Sequence, residues 1–227
     1  MNTEVSNLLF KGIAYHRKNK IEDAIINYDK VLEKEPNNYD ALTSKASALI
    51  NLSNLEKASD LYTKAIDSKP HYSQSWFNRA CLYSMMEREE KTLSDLTQAI
   101  LYEDKISVNI RKEPVFEWLE NNEIYKAITT TSIKKENELL YQQAINKYNS
   151  GNYNKALSIF ISLVNKVPYN IRYLTYYADT LIKLNRHTEA QNIIKWGIQY
   201  NPYYAPLWNV RSIVLSKEGN NEEALNS

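Results

Sequence analysis

Three histidines, a single cysteine and one acidic run are the side chains of this chain from which chemistry could be built. His16, His71 and His187 are far apart and fall in no HExxH or Cys/His ligand spacing, so a zinc site would have to be assembled from distant segments. Cys81 follows Ala80 with no histidine or basic cluster beside it to hold a thiolate. It is expected as a buried or groove-lining thiol rather than a nucleophile. Glu87, Glu89 and Glu90, interleaved with Arg88 and Lys91, are expected as a solvated turn. The chain has four glycines, Gly12, Gly151, Gly197 and Gly219, and none belongs to a phosphate-cradling loop or a dinucleotide fingerprint. No catalytic, cofactor-binding or metal-ligating residue is therefore assigned. Eighteen tyrosines could stack on single-stranded nucleic acid, but a net charge of +1 in 227 residues offers no sign of the basic groove that stacking requires.

The elements that would position any site are set by a repeat. Ile21 to Pro36 reads IEDAIINYDKVLEKEP, with Ala24, Tyr28 and Val31 on one helical face and a proline that stops the helix. Leu55 to Pro70, LEKASDLYTKAIDSKP, repeats it 34 residues later with Ala58, Tyr62, Ala65 and Pro70. Ala156, Ala190 and Ala224 keep the same 34-residue spacing, as do Pro168 and Pro202. A fixed period of this length means a stacked array rather than a single globular core.

This helix–turn–helix unit of 34 residues resembles the tetratricopeptide repeat (TPR) family, and six repeats match its pattern to varying degrees. The resemblance implies an all-α solenoid, a right-handed superhelix of antiparallel helix pairs. A first group would run over residues 5–136, with repeats at 5–38, 39–72 and 73–106. The third opens on Trp76, Ala80 and Tyr83 and then decays, with Thr92, Leu96 and Asp104 where the alanine, aromatic and proline belong. Residues 107–136 break the period. Pro114 interrupts them and Phe116, Leu119, Ile124, Tyr125 and Ile128 supply an apolar face. This stretch resembles the irregular closing segment of some bacterial groups and is expected to lie as a lid on the first three repeats. Thr129 to Ser132 reads as a loop with Ser132 as a candidate N-cap. A second group covers 137–227, with repeats 137–170 and 171–204 and an incomplete one at 205–227. Its last apolar residues, Trp208, Leu215 and Leu225, are expected to be poorly covered.

In the family the first helix of each pair lines a concave groove that holds peptides or helices of partner proteins. Carried over place by place, the groove positions include Leu9, Ile13, His16 and Arg17, then Thr43, Ser47 and Asn51, then Phe77, Cys81 and Met85. Beyond the break they include Tyr141, Ile145, Tyr148 and Arg172. One subfamily grips a C-terminal carboxylate with lysine, asparagine and arginine. Those places hold Leu9, Ile13, Ser44, Gln74 and Asn78 here, and Tyr141, Ile145, Tyr176, Pro206 and Val210 in the second group, with no cation among them. An apolar and aromatic groove is expected instead: Leu9, Ile13, Phe77, Met85, Tyr141, Ile145 and Tyr148, with Arg17 and Arg172 beside them. Replacing Tyr141 and Tyr148 together by alanine is then expected to remove partner binding at nearly unchanged helicity.

The resemblance implies a non-enzymatic protein-interaction module, a scaffold or adaptor, with a protein or peptide ligand and no cofactor, nucleic acid or membrane insertion. The single cysteine, the absence of a signal-like start and the absence of a spanning apolar run lead to the expectation of a cytoplasmic protein. Two other readings stay open: a structural protein that self-assembles through its C-terminal end, and the regulatory or sensor portion of a larger multidomain protein.

Overall fold

The computed structural model describes residues 3–217 together with Gly219 and Ala224, and every described regular element is a helix. Six helices form three pairs: α1 (Thr3–Arg17) with α2 (Ile21–Lys34), α3 (Tyr39–Asn51) with α4 (Leu55–Ser68), and α5 (Ser73–Met85) with α6 (Glu89–Tyr102). A short α7 (Ile106–Ile110), a 3₁₀ helix (Pro114–Leu119) and α8 (Glu123–Thr129) follow. Two further pairs are α9 (Thr131–Asn149) with α10 (Tyr153–Lys166) and α11 (Ile171–Lys183) with α12 (His187–Tyr200), before α13 (Ala205–Lys217). The chain is an all-α repeat solenoid.

The turn inside each pair is closed by backbone geometry rather than by a sequence motif. One residue per turn sits at positive φ: Asn19, Ser53 and Glu87, then Gly151, Asn185 and Gly219, at the 34-residue period within each set. The turns that begin at Asn19, Ser53, Glu87, Gly151 and Asn185 share one pattern. The Lys20 N–H donates to the Tyr15 carbonyl at 3.0 Å and the Asn19 N–H to that of His16 at 2.9 Å, and the same two bonds recur at Asn54 to Leu49 and Ser53 to Ile50. This Schellman arrangement satisfies carbonyls that the end of the helix would otherwise leave unpaired. The turn between pairs is built differently. Pro36 and Pro168 follow the ends of α2 and α10, and two residues later Asn38 and Asn170 cap the next helix. Asn38 Oδ1 accepts from the Ala41 N–H at 3.0 Å, and Asn170 Oδ1 from the Arg172 N–H at 3.1 Å.

Between the helices the small places are filled to contact. Ala24, Ala58, Ala156 and Ala190 are fully buried. A Cβ on Gly12 would fall 2.6 Å from Cε1 of Tyr28, so this position admits no larger residue without displacing that ring. Thr92, at an alanine place, is also fully buried, and its hydroxyl donates to the Arg88 carbonyl at 2.9 Å. Trp76 and Trp208 close their inter-pair turns alike, their indole N–H groups donating to the carbonyls of Pro70 at 2.8 Å and Pro202 at 2.7 Å.

The chain divides into two compact units, Met1–Ile106 and Ser107–Ser227. The irregular stretch counts with the second unit. Its α8 packs against α9 and α10, and Lys134 Nζ of α9 donates to Ser107 Oγ at 3.1 Å. Phe116, Leu119, Tyr125 and Ile128 are buried, and Asn122 caps α8 by accepting from the Ile124 and Tyr125 N–H groups at 2.9 and 3.0 Å. The expected loop at 129–132 is absent: α8 runs to Thr129, Thr130 is the junction, and α9 has begun by Thr131. Ser132 thus lies within α9, because a one-residue junction suffices to turn the chain.

Candidate functional site

In the first unit, first helices and second helices alternate along the stack, and α1 also meets α3. The C-terminal half of α1 carries Ile13, His16 and Arg17, and α3 carries Thr43, Ser44, Ser47 and Asn51 along its length. Asn78 comes from α5, and Tyr28 and Tyr62 reach in from α2 and α4. Together they line a groove of about 620 Å³. Five of the expected first-helix places besides Ile13 are in it: His16, Arg17, Thr43, Ser47 and Asn51.

The groove differs in character from the expected apolar one. Ile13 is its one aliphatic residue, and no carboxylate lines it. The Asn51 side-chain amide nitrogen lies 3.0 Å from His16 Nε2 and joins α3 to α1. Asn78 Oδ1 accepts from Gln74 Nε2 at 2.7 Å, which leaves the Asn78 amide hydrogens for another acceptor. Arg17 is exposed, and among the described residues its guanidinium has neither an ion-pair nor a hydrogen-bond partner. Tyr28 is fully buried and its hydroxyl lacks a well-aligned partner, with Ser44 beside it. Burial raises the pKa of that hydroxyl, and Ser44 pulls it back.

The remaining predicted residues lie elsewhere. Leu9 is half-buried and packs into two core clusters, one around Val5, Val31 and Ala41 and one around Ala24 and Tyr28. Phe77 is half-buried and Met85 is 50% exposed, and neither lines the groove. Ser44, Asn78, Tyr28 and Tyr62 were passed over in the sequence, the first two because they are not cations and the tyrosines because they occupy packing places.

Tyr141, Ile145, Tyr148 and Arg172 belong to the second unit, where three of them form part of an aromatic cluster. Tyr141 is 5% exposed, edge-on to Phe160 and Tyr176 with centroids 6.4 and 5.9 Å away, and tilted against Tyr173 at 5.4 Å. The Arg172 guanidinium lies 4.6 Å from the centroid of Tyr141, and its Nη1 is 3.8 Å from Glu138. Burial pushes the Tyr141 hydroxyl up to about 12 against the pull of Arg172, and burial takes Tyr173 to about 12 as well. Tyr148 is edge-on to Tyr153 and Tyr176 and donates its hydroxyl hydrogen to Asp179. Burial first, then that bond, raises its pKa. Ile145 is half-buried. With Tyr141 this deep in the packing, its truncation is not a clean probe of binding, contrary to the sequence-based expectation for the Tyr141 and Tyr148 double replacement.

At the other end of this unit, α12 and α13 enclose a cleft of about 520 Å³ lined by Ile194, Ile198, Trp208, Val214 and Leu215, with Gln191, Lys195 and Arg211. Leu215 is 6% exposed and Trp208 half-buried, so both are better covered than expected; Leu225 lies outside the described residues. Among the described residues no group of three or more His, Cys, Asp or Glu side chains could hold a metal ion, and no helix is long and apolar enough to cross a membrane.

Comparison with known proteins agrees with this architecture. The tetratricopeptide repeat profile matches residues 27–58 and 61–94, and a second profile of the same description matches 138–168. A tetratricopeptide repeat protein from Parabacteroides merdae shares the fold, with a TM-score of 0.50 and 21% identity over 98% of this chain and 90% of its own. A TPR-containing protein of Dictyostelium discoideum is 28% identical over 164 residues, covering 68% of this chain and 12% of that protein. A tetratricopeptide repeat and J domain-containing co-chaperone of Fusarium oxysporum is 29% identical over 68 residues, covering 30% of this chain and 13% of its own length. The chain thus spans about an eighth of each of these two relatives. Residues 27–58, 61–94 and 138–168 therefore carry tetratricopeptide repeats.

Proposed function

We propose that the chain is a non-enzymatic protein-interaction module, a scaffold or adaptor, which holds a peptide or helix of a partner protein in the concave groove of its first unit. The observation that carries this is the groove itself: three successive first helices contribute its walls, and polar side chains with unused hydrogen-bonding capacity face into it. Affinity would then come from many modest contacts along a bound segment. No nucleophile with an activating base is found among the groove residues, which favours binding over catalysis. We further place the protein in the cytoplasm, with a protein partner rather than nucleic acid or membrane.

A photo-crosslinking side chain introduced at Ser47 in the groove, compared with one at exposed Lys30 on α2, tests this reading in the source cell. Adducts to a discrete protein from Ser47 and none from Lys30 would support it. Equal adducts from both positions, or from neither, would count against it. The share of the two relatives that the chain matches favours a second reading, the regulatory portion of a larger protein. The mass of the endogenous product on an immunoblot decides that point.

A further inference from the structure

We propose that the groove of the first unit selects a segment by an acidic side chain within it, an aspartate or glutamate held by Arg17. This rests on the groove being the binding site. The argument is one of charge and hydrogen-bond complementarity. Arg17 brings the groove a cation that no carboxylate among the described residues satisfies, and no carboxylate lines the groove to repel an incoming one. The groove also offers the Asn78 amide hydrogens, which the bond from Gln74 leaves available, and the Ser47 hydroxyl, which can donate. A carboxylate is an acceptor-only group, so it is the ligand that such a lining completes.

The acid is internal to the segment rather than its C-terminus. Gripping a terminal carboxylate takes several cations at once, and the places that would supply them hold Leu9, Ile13, Ser44, Gln74 and Asn78. A single guanidinium at the groove wall suits one side-chain carboxylate, with the peptide passing on in both directions.

The test is an NMR titration of the full chain with acetylated and amidated pentapeptides, Ser-Leu-Glu-Leu-Ser and Ser-Leu-Gln-Leu-Ser, and with the first as its free acid. The glutamate peptide should shift the Arg17 Nε–H and the Asn78 side-chain amide and bind about tenfold more tightly than the glutamine one. The free acid should gain nothing, and R17Q should make the two amidated peptides equal. Equal binding of both at the groove would overturn the acidic selection while the groove reading stood. A requirement for the free acid would overturn the internal position of the acid. If neither peptide moved any groove resonance at millimolar concentration, both the selection and the groove reading would fall.

Discussion

Arg79 and Asp95 join α5 to α6 through two parallel hydrogen bonds, Nε to Oδ2 at 2.7 Å and Nη2 to Oδ1 at 2.9 Å, with the carboxylate side chain 4% exposed. The guanidinium also donates from Nη1 to Thr63 Oγ1 at 2.9 Å and lies between the rings of Trp76 and Tyr83, at 5.2 and 5.6 Å from their centroids. In the third repeat, where the family pattern is weakest, this pair ties the two helices together and reaches back to α4. The interaction favours the charged guanidinium despite its burial.

Removing one partner should cost far more than removing both. Asp95→Ala strands a buried cation and should destabilise the first unit by about 3–5 kcal/mol. The double replacement Arg79→Met with Asp95→Leu should lose much less, because no charge is left unpaired. Urea denaturation midpoints of the three proteins check this, and equal losses from the single and double variants would refute it.

The aromatic cluster of the second unit separates packing from hydrogen bonding. Tyr141→Ala removes a buried ring from contact with Phe160, Tyr173 and Tyr176 and should cost about 3–5 kcal/mol. Tyr148→Phe keeps its ring contacts and loses only the bond to Asp179, so about 1–2 kcal/mol is expected. Thermal melts should therefore place Tyr141→Ala well below Tyr148→Phe.

The same burial predicts an alkaline limit on stability. Tyr141 and Tyr173 titrate near 12 in the fold against an ordinary 10.0, so the unfolded chain releases these protons first. Their contribution is intact below pH 10 and is lost as the pH rises towards about 12, on the order of 2 kcal/mol each. Tyrosinate absorbance followed alongside circular dichroism should show late-titrating tyrosines that ionise only as helicity falls. If all tyrosines ionised near 10 with the helices intact, the buried cluster would be wrong.

Backbone conformation at the turns gives a prediction of opposite sign. Glu87 sits at φ 55°, a left-handed conformation that costs a side-chain-bearing residue about 1 kcal/mol or more, so Glu87→Gly should raise stability by about 0.5 kcal/mol. Gly151 occupies the equivalent turn at φ 76° with open space around it, so Gly151→Ala should lower stability by about 1 kcal/mol through the backbone alone. Melting temperatures moving in these two directions would establish that the turn geometry, and not its sequence, is shared.

The 34-residue period, carried by residues such as Ala24, Ala58, Tyr28 and Tyr62, determined the helix pairs, because alanine and aromatic places repeat wherever one pair must stack on the next. It did not expose the shared turn, since Asn, Ser, Glu and Gly all occupy the left-handed position and only backbone angles reveal their equivalence. The groove was partly legible: Ile13, His16, Arg17, Thr43, Ser47 and Asn51 followed from their places in the repeat. Its polarity was not, because Leu9 and Tyr141 stand at groove places yet turn into packing, a choice made by neighbours such as Val31, Phe160 and Tyr176. The grouping of 107–136 with the second unit was likewise decided in three dimensions. An amphipathic segment shows in sequence that it must cover something; only the surface offered by α9 and α10 shows what.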